Sequence, residues 1–77
     1  MEDLIEELQM LIEDDAIPKS VRLKVEAAIS ALLEEDIEES LRANKALQQL
    51  DDLSEDPNVP SYVRPQIWNI VSQLETL

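Results

Sequence analysis

The sequence predicts an all-α fold, a compact four-helix bundle made of two repeated helical hairpins. Apolar residues recur at helical spacing in four segments, and no segment shows the apolar–polar alternation of a strand. In addition, one sequence pattern occurs twice, at an offset of 42 residues. The 77 residues, 44% of them hydrophobic, are enough for one small domain with a modest core.

The first two helices are predicted from their apolar stripes and one proline. Helix 1 covers about residues 2–13, with the stripe Leu4, Ile5, Leu8, Leu11 and Ile12. Helix 2 starts near Pro18, because proline suits the first helical turn, where its missing N–H would have no partner. Its stripe is Val21, Val25, Ala28, Ile29 and Leu32.

The last two helices are separated by a loop over residues 54–60, which contain two prolines and Asn58. Helix 3 covers about residues 38–53, with the stripe Leu41, Ala43, Ala46, Leu47, Leu50 and Leu53. Helix 4 covers about residues 61–76, with the stripe Val63, Ile67, Ile70, Val71 and Leu74. Since Pro65 would break a hydrogen bond in mid-helix, we expect a tight turn over 60–64 and regular helix from near Pro65.

The repeat aligns residues 13–22, EDDAIPKSVR, with residues 55–64, EDPNVPSYVR. The two hairpins of this single domain therefore cover about residues 2–33 and 38–76. A weaker copy at an offset of 20 lies between them, so each of the last three helices opens with an aliphatic–arginine pair after an acidic turn. The predicted turn motif consists of Asp14, Pro18, Arg22, Asp36, Arg42, Asp56, Pro60 and Arg64.

An arginine near a helix N-terminus opposes the helix dipole and needs a compensating partner. We expect each guanidinium either to pair with the aspartate that precedes it or to bond carbonyl oxygens at the end of the previous helix, which otherwise lack partners.

The segments LSEDPNVP at residues 53–60 and IWNIVSQLET at 67–76, with Arg64 between them, resemble the C-terminal half of a small archaeal family, uncharacterised protein family 0147. The first half fits through residues 12–14 and 17–22. This resemblance spans nearly the whole chain and implies a compact all-helical bundle from an archaeal cytoplasm. It implies no activity, and it carries over no functional residue.

The composition argues against an enzyme, because the chain has no cysteine, histidine or glycine. The thiol nucleophile, the imidazole base and the phosphate-binding glycine loop are therefore all missing. We predict no catalytic residues, no cofactor and no metal ligands. The lack of disulfides makes a reducing cytoplasm the expected location.

The net charge of −12 disfavours nucleic acid, and no apolar run approaches the ~18 residues of a membrane span. The acidic clusters at residues 13–15, 34–36 and 51–56 are best interpreted as solvated turns. Two alternatives stay open: a divalent-metal-binding protein that uses these turns, and an acidic mimic of nucleic acid that binds a basic partner.

Helix 4 carries the candidate interface. Residues 61–77 contain one base, Arg64, and one acid, Glu75, so the helix has an uncharged outer face on a strongly acidic protein. Interfaces are depleted of charge and enriched in aromatic residues. The candidate interface residues are Tyr62, Pro65, Trp68, Asn69, Ser72, Gln73 and Thr76.

Trp68 taken alone is better explained as capping the edge of the core, with its indole N–H on a turn carbonyl. The function itself stays unknown, and the sequence favours a non-enzymatic interaction or structural module. Its expected partner is another protein or a second copy of the chain, bound through helix 4.

Overall fold

Four α-helices make up the computed structural model, which describes all residues from 1 to 77. Helix α1 spans Glu2–Ile12, α2 spans Lys19–Leu32, α3 spans Glu39–Ser54 and α4 spans Arg64–Leu74. The predicted all-α bundle is confirmed, and the first three helices begin within one residue of their expected starts.

The helices pack in chain order, α1 on α2, α2 on α3 and α3 on α4, and the contact between α2 and α3 is the most extensive. Other pairs make little or no close backbone contact. Helices α2 and α3 therefore form the centre of the bundle, which measures 33 × 19 × 18 Å, and α1 and α4 lie at its edges.

The core consists of twenty buried residues, all of them hydrophobic. The complete predicted stripes of helices 2 and 4 are buried, and Ile17 and Val59 join them from the turns. Ile5, Ile12 and Leu47 are only partly buried and pack against the core from its margin. No polar residue is buried in the core, so the bundle is stabilised by apolar packing and by the hydrogen bonds at its helix ends.

Leu41 was wrongly assigned to the core, because its side chain is 52% exposed. At 100° per residue, Leu41 lies about 180° from Leu50 around the axis of α3. The other buried residues of this helix cluster on the side of Leu50, so Leu41 is placed towards solvent.

Three turns with the same backbone pattern connect the helices, at residues 13–18, 33–38 and 55–60. In each turn the second residue donates its N–H to the carbonyl three residues earlier, and its own carbonyl accepts from the aliphatic residue three positions later. Asp14 and Asp56 hold this second position in the outer turns, and each Oδ1 accepts a backbone N–H two residues on, at 2.9 and 2.8 Å.

The middle turn differs from the predicted motif. Glu34, not Asp36, occupies the position equivalent to Asp14, and its carboxylate pairs with Lys45 at 3.1 Å. None of the hydrogen bonds of this turn uses the Asp36 side chain.

The prolines of the motif precede the regular helices. Pro18 is extended, with φ −60° and ψ 153°, and it caps α2 from outside. Its carbonyl accepts the N–H of Arg22 at 3.0 Å. Glu38 adopts the same geometry before α3, so the conformation does not require proline.

The three arginines of the motif bond carbonyl oxygens of the preceding helix end and turn. Arg22 Nη2 lies 3.3 Å from the Asp14 carbonyl oxygen, and Arg42 Nη1 lies 3.3 Å from that of Leu32. Arg64 donates to the carbonyl oxygens of Ser54 and Asp56 at 3.0 and 2.7 Å. Of the two expected kinds of partner, the arginines therefore use the carbonyl oxygens. Neither ion pair of the chain includes an arginine, since Lys24 pairs with Asp52 and Lys45 with Glu34.

Leu32 and Leu33 offer a matched test of the core, since they are adjacent but 1% and 55% exposed. We expect Leu32→Ala to lower the free energy of unfolding by ~2–5 kcal/mol, because it leaves a cavity. Leu33→Ala should change it by no more than about 0.5 kcal/mol. Chemical denaturation followed by circular dichroism measures both values, and similar values for the two variants would contradict the assigned core.

Arg42 and Lys45 test the role of the helix-end hydrogen bonds. Arg42→Met removes the donor to the Leu32 carbonyl, and we expect it to cost ~1.5–3 kcal/mol of stability. Lys45→Met removes the same charge but only an exposed ion pair, so it should cost less than about 1 kcal/mol. If both variants lose the same free energy of unfolding, the stabilising effect of Arg42 comes from its charge alone and not from its hydrogen bond to the helix end.

Candidate functional site

Helix α4 begins at Arg64 because Pro65 has no N–H to continue a helix backwards. The preceding residues form a tight turn, in which the Val63 N–H donates to the Pro60 carbonyl at 2.9 Å. The first bond of the regular helix runs from the Ile67 N–H to the Val63 carbonyl at 3.0 Å. The predicted turn over 60–64 and the helix start near Pro65 are thereby confirmed.

The outer surface of α4 has an uncharged ridge, which we define by Pro65, Asn69, Ser72 and Thr76. These residues recur at helical spacing, and all four are exposed. The other candidate interface residues, Tyr62, Trp68 and Gln73, are exposed as well. All seven candidate residues are therefore accessible, and they lie on or directly beside the helix at the edge of the bundle.

A groove of about 520 Å³, which we call the tryptophan groove, lies between α3 and α4. Its lining includes the apolar residues Ile67 and Val71, which are themselves buried. Trp68 lines the same groove, and Asp51 of α3 and Glu75, which follows α4, contribute carboxylates. Apolar, aromatic and acidic groups thus meet in one groove.

A smaller groove of about 270 Å³ separates α4 from α1 on the other side of the ridge. Met10, Leu11 and Ile70 supply its apolar lining, and Gln66 and Asn69 supply amides. Because α1 does not close against α4, the ridge stands between two depressions.

Trp68 is the most exposed of the large hydrophobic residues, at 73%. None of the hydrogen bonds of the chain uses its indole N–H. The interpretation of Trp68 as a cap on the core edge is therefore wrong. Ile67 and Val71 already close the core beneath it, so the indole is free to face solvent.

Tyr62 has a different environment, because its hydroxyl donates to Asp14 Oδ2 at 2.5 Å. This bond joins the first turn to the turn before α4, so both lie at the same end of the bundle. The hydrogen bond from Tyr62 lowers the pKa of Asp14, and the Ala16 backbone N–H lowers it further. The same bond to Asp14 raises the pKa of Tyr62.

The acidic turns contain no set of three or more carboxylates placed to hold a metal ion. Calcium and magnesium prefer several converging oxygen ligands, and the carboxylates of these turns do not converge. No helix is long and apolar enough to cross a membrane.

Sequence reasoning missed two features of this surface. It did not find Asp51, which joins the tryptophan groove from another helix, and it did not find Met10, which lines the smaller groove from α1. The one signal in the sequence for Met10 is that it is an apolar residue outside the apolar stripe of α1. Nothing local distinguishes Asp51 from the other acidic residues.

The whole chain, residues 1–77, matches the model of a family described as Uncharacterised protein family (UPF0147). A UPF0147 protein from Archaeoglobus fulgidus is 42% identical over 77 residues, which are 100% of this chain and 87% of that protein. Another from Methanocaldococcus jannaschii is 43% identical over 68 residues, 88% of this chain and 73% of that protein.

A solved structure is also similar. The crystal structure of the unknown-function protein MMP1188 matches with a TM-score of 0.94 and 42% identity. The match covers 99% of this chain and 86% of that one. None of these similar proteins has a name that describes an activity.

Tyr62→Phe tests the link between the two turns. Asp14 has a lowered pKa, so its contribution to stability is present above pH 3.8 and is lost as the pH falls through the folded-state value. Tyr62 has a raised pKa, so its contribution is present below pH 10.0 and is lost as the pH rises through the folded-state value. We expect Tyr62→Phe to remove the tyrosine contribution and the part of the Asp14 contribution that comes from this bond, and to leave the part that comes from the Ala16 N–H.

Two measurements check this expectation. The pKa of Asp14, followed by NMR of its carboxyl carbon, should rise in Tyr62→Phe, because the phenylalanine donates no hydrogen bond. The difference in Tm between wild type and variant should be largest between pH 3.8 and 10.0 and should narrow outside that range. An unchanged titration of Asp14 would show that the bond does not persist in solution.

Proposed function

The chain belongs to the uncharacterised protein family UPF0147, and we propose that it is a non-enzymatic, cytoplasmic protein-interaction module that binds another protein through α4 and the grooves beside it. The observation that carries this proposal is the exposed indole of Trp68 in the wall of the tryptophan groove. Tryptophan is among the residues that most often dominate binding energies at protein interfaces.

The absence of charge along the ridge supports the same proposal. The chain has eighteen acidic residues, but Glu75 is the only one after residue 60, and Arg64 uses its guanidinium on carbonyl oxygens. A partner that covers the ridge would therefore bury amides, hydroxyls and an aromatic ring without burying a row of carboxylates. Interface centres have this composition, because burying an unpaired charge is costly.

Packing within the chain also favours binding through α4. Only one side of α4 is occupied, by α3, and α1 leaves a groove on the other side. Both grooves are open to a segment of a partner, and the ridge between them provides a convex surface for a matching depression.

Chemistry gives no reason to propose catalysis. The chain lacks cysteine and histidine, and its carboxylates are not gathered into a metal-holding group. The one hydroxyl of the tryptophan groove, that of Ser54, donates to the backbone carbonyl of Asp51 and not to a general base, which covalent catalysis requires.

Ser72 and Ser30 provide a matched test, because they are exposed serines at equivalent positions of the 42-residue repeat. Ser72 lies on the ridge, whereas Ser30 lies on α2 and lines neither groove. We expect Ser72→Glu to reduce partner retention by more than about tenfold, because an unpaired carboxylate at the interface costs more than about 1.4 kcal/mol. Asn69→Glu should act in the same way, and Ser30→Glu should bind like the wild type.

The measurement is affinity capture from a native archaeal extract, with mass spectrometry of the retained proteins. Thermal unfolding must show that all variants remain folded. Retention of the same proteins by wild type, Ser72→Glu and Ser30→Glu would show that α4 is not the interface. If the wild type retains only further copies of the chain, the proposal that it binds a different protein is contradicted.

A further inference from the structure

The carboxylates of the tryptophan groove have no cationic partner within the chain. Asp51 of α3 and Glu75, which follows α4, line the groove together with Trp68, and neither belongs to an ion pair. Arg64 also lines the groove, but its terminal nitrogens are bound to the carbonyl oxygens of Ser54 and Asp56. The groove thus combines apolar surface, an exposed aromatic side chain and two carboxylates against one guanidinium, which together leave it a net negative charge.

We propose that the tryptophan groove binds a lysine or arginine side chain from a basic segment of a partner protein. This inference rests on the proposed interaction function and specifies the chemistry of the partner. The aliphatic part of such a side chain would lie against the apolar lining, and its cation would contact the indole face. Asp51 and Glu75 would supply the opposite charge.

The chemistry of the groove matches this ligand on two independent points. Tryptophan is the aromatic residue that best attracts a cation to its ring face, and arginine is the cation most often found there. Long basic side chains bury an apolar stem while their charged end stays near water, as a groove with an apolar lining and acidic groups requires. An anionic ligand would face two carboxylates against the single guanidinium of Arg64, and a purely apolar ligand would leave the net negative charge of the groove without a counter-charge.

The cation must come from another protein, because this chain has almost none to spare. Arg22, Arg42 and Arg64 are held on carbonyl oxygens, and Lys24 and Lys45 are in ion pairs. Lys19 is the one basic residue without such a contact. Two copies of a chain with a net charge of −12 would also repel each other, whereas a basic segment would be attracted over a distance.

The test uses a capped hexapeptide of alternating arginine and leucine, with a second peptide in which citrulline replaces every arginine. Citrulline has nearly the shape of arginine without its charge. Because Trp68 is the only tryptophan, its fluorescence reports binding at the groove itself. NMR spectra of the backbone amides then locate the peptide on the full-length protein.

We expect the arginine peptide to change Trp68 fluorescence and to shift amides at residues 51–54 and 64–75, and the citrulline peptide to bind at least about fivefold more weakly. The double variant Asp51→Asn/Glu75→Gln should lose a similar factor. Asp15→Asn/Glu26→Gln removes the same two charges at exposed positions outside the grooves and should bind as the wild type does.

Several results would overturn the inference. Equal affinities for the two peptides would exclude recognition of a cation. Equal losses of affinity in the two double variants would mean that the peptide responds only to the net charge of the protein and not to the groove. Shifts spread evenly over the acidic faces, unaffected by Trp68→Ala, would also exclude the groove.

The partners captured from the extract separate this inference from the proposed function. If Ser72→Glu loses a partner that Asp51→Asn/Glu75→Gln retains, α4 is supported as the interface and the proposed cation site is contradicted. If every variant retains the same partner, both the proposed interface and the proposed cation site are contradicted.

Discussion

The rest of the structure depends on how each helix ends in a chain without glycine. Helices commonly end with a residue in the left-handed conformation, usually glycine, which lets later N–H groups reach the last carbonyls. Here no residue has positive φ, and every helix ends in the right-handed region. Arg42 and Arg64 donate to the last carbonyl of the preceding helix, and Arg22 donates to carbonyls of the turn that follows α1.

This solution couples α2 to α3 and α3 to α4. Arg42 reaches back to the last residue of α2 and Arg64 to the last residue of α3, and consecutive helices are the pairs that pack. Tyr62 adds a connection between the first and third turns through Asp14. This hydrogen bond lies at one end of the bundle, and a groove separates α1 from α4.

The same arrangement explains the unusual distribution of charge on the surface. Five of the six basic side chains form contacts within the chain, on carbonyl oxygens or in exposed ion pairs, and six bases cannot balance eighteen acids. The acidic residues are concentrated before residue 60, and α4 is nearly free of charge. An edge helix with an open tryptophan is the one part of such a surface that a protein can cover at little electrostatic cost.

The sequence by itself determined the features that depend on neighbouring residues. Helical periodicity identified four helices and most of the core, and Pro65 set the start of α4, because both signals act within a few residues along the chain. Only the tertiary structure decided which carbonyls the arginines bond, that Tyr62 reaches Asp14, and that Asp51 joins Trp68 in one groove. Each of these contacts joins separate helices or turns, and their distances depend on how the helices pack, which no local pattern records.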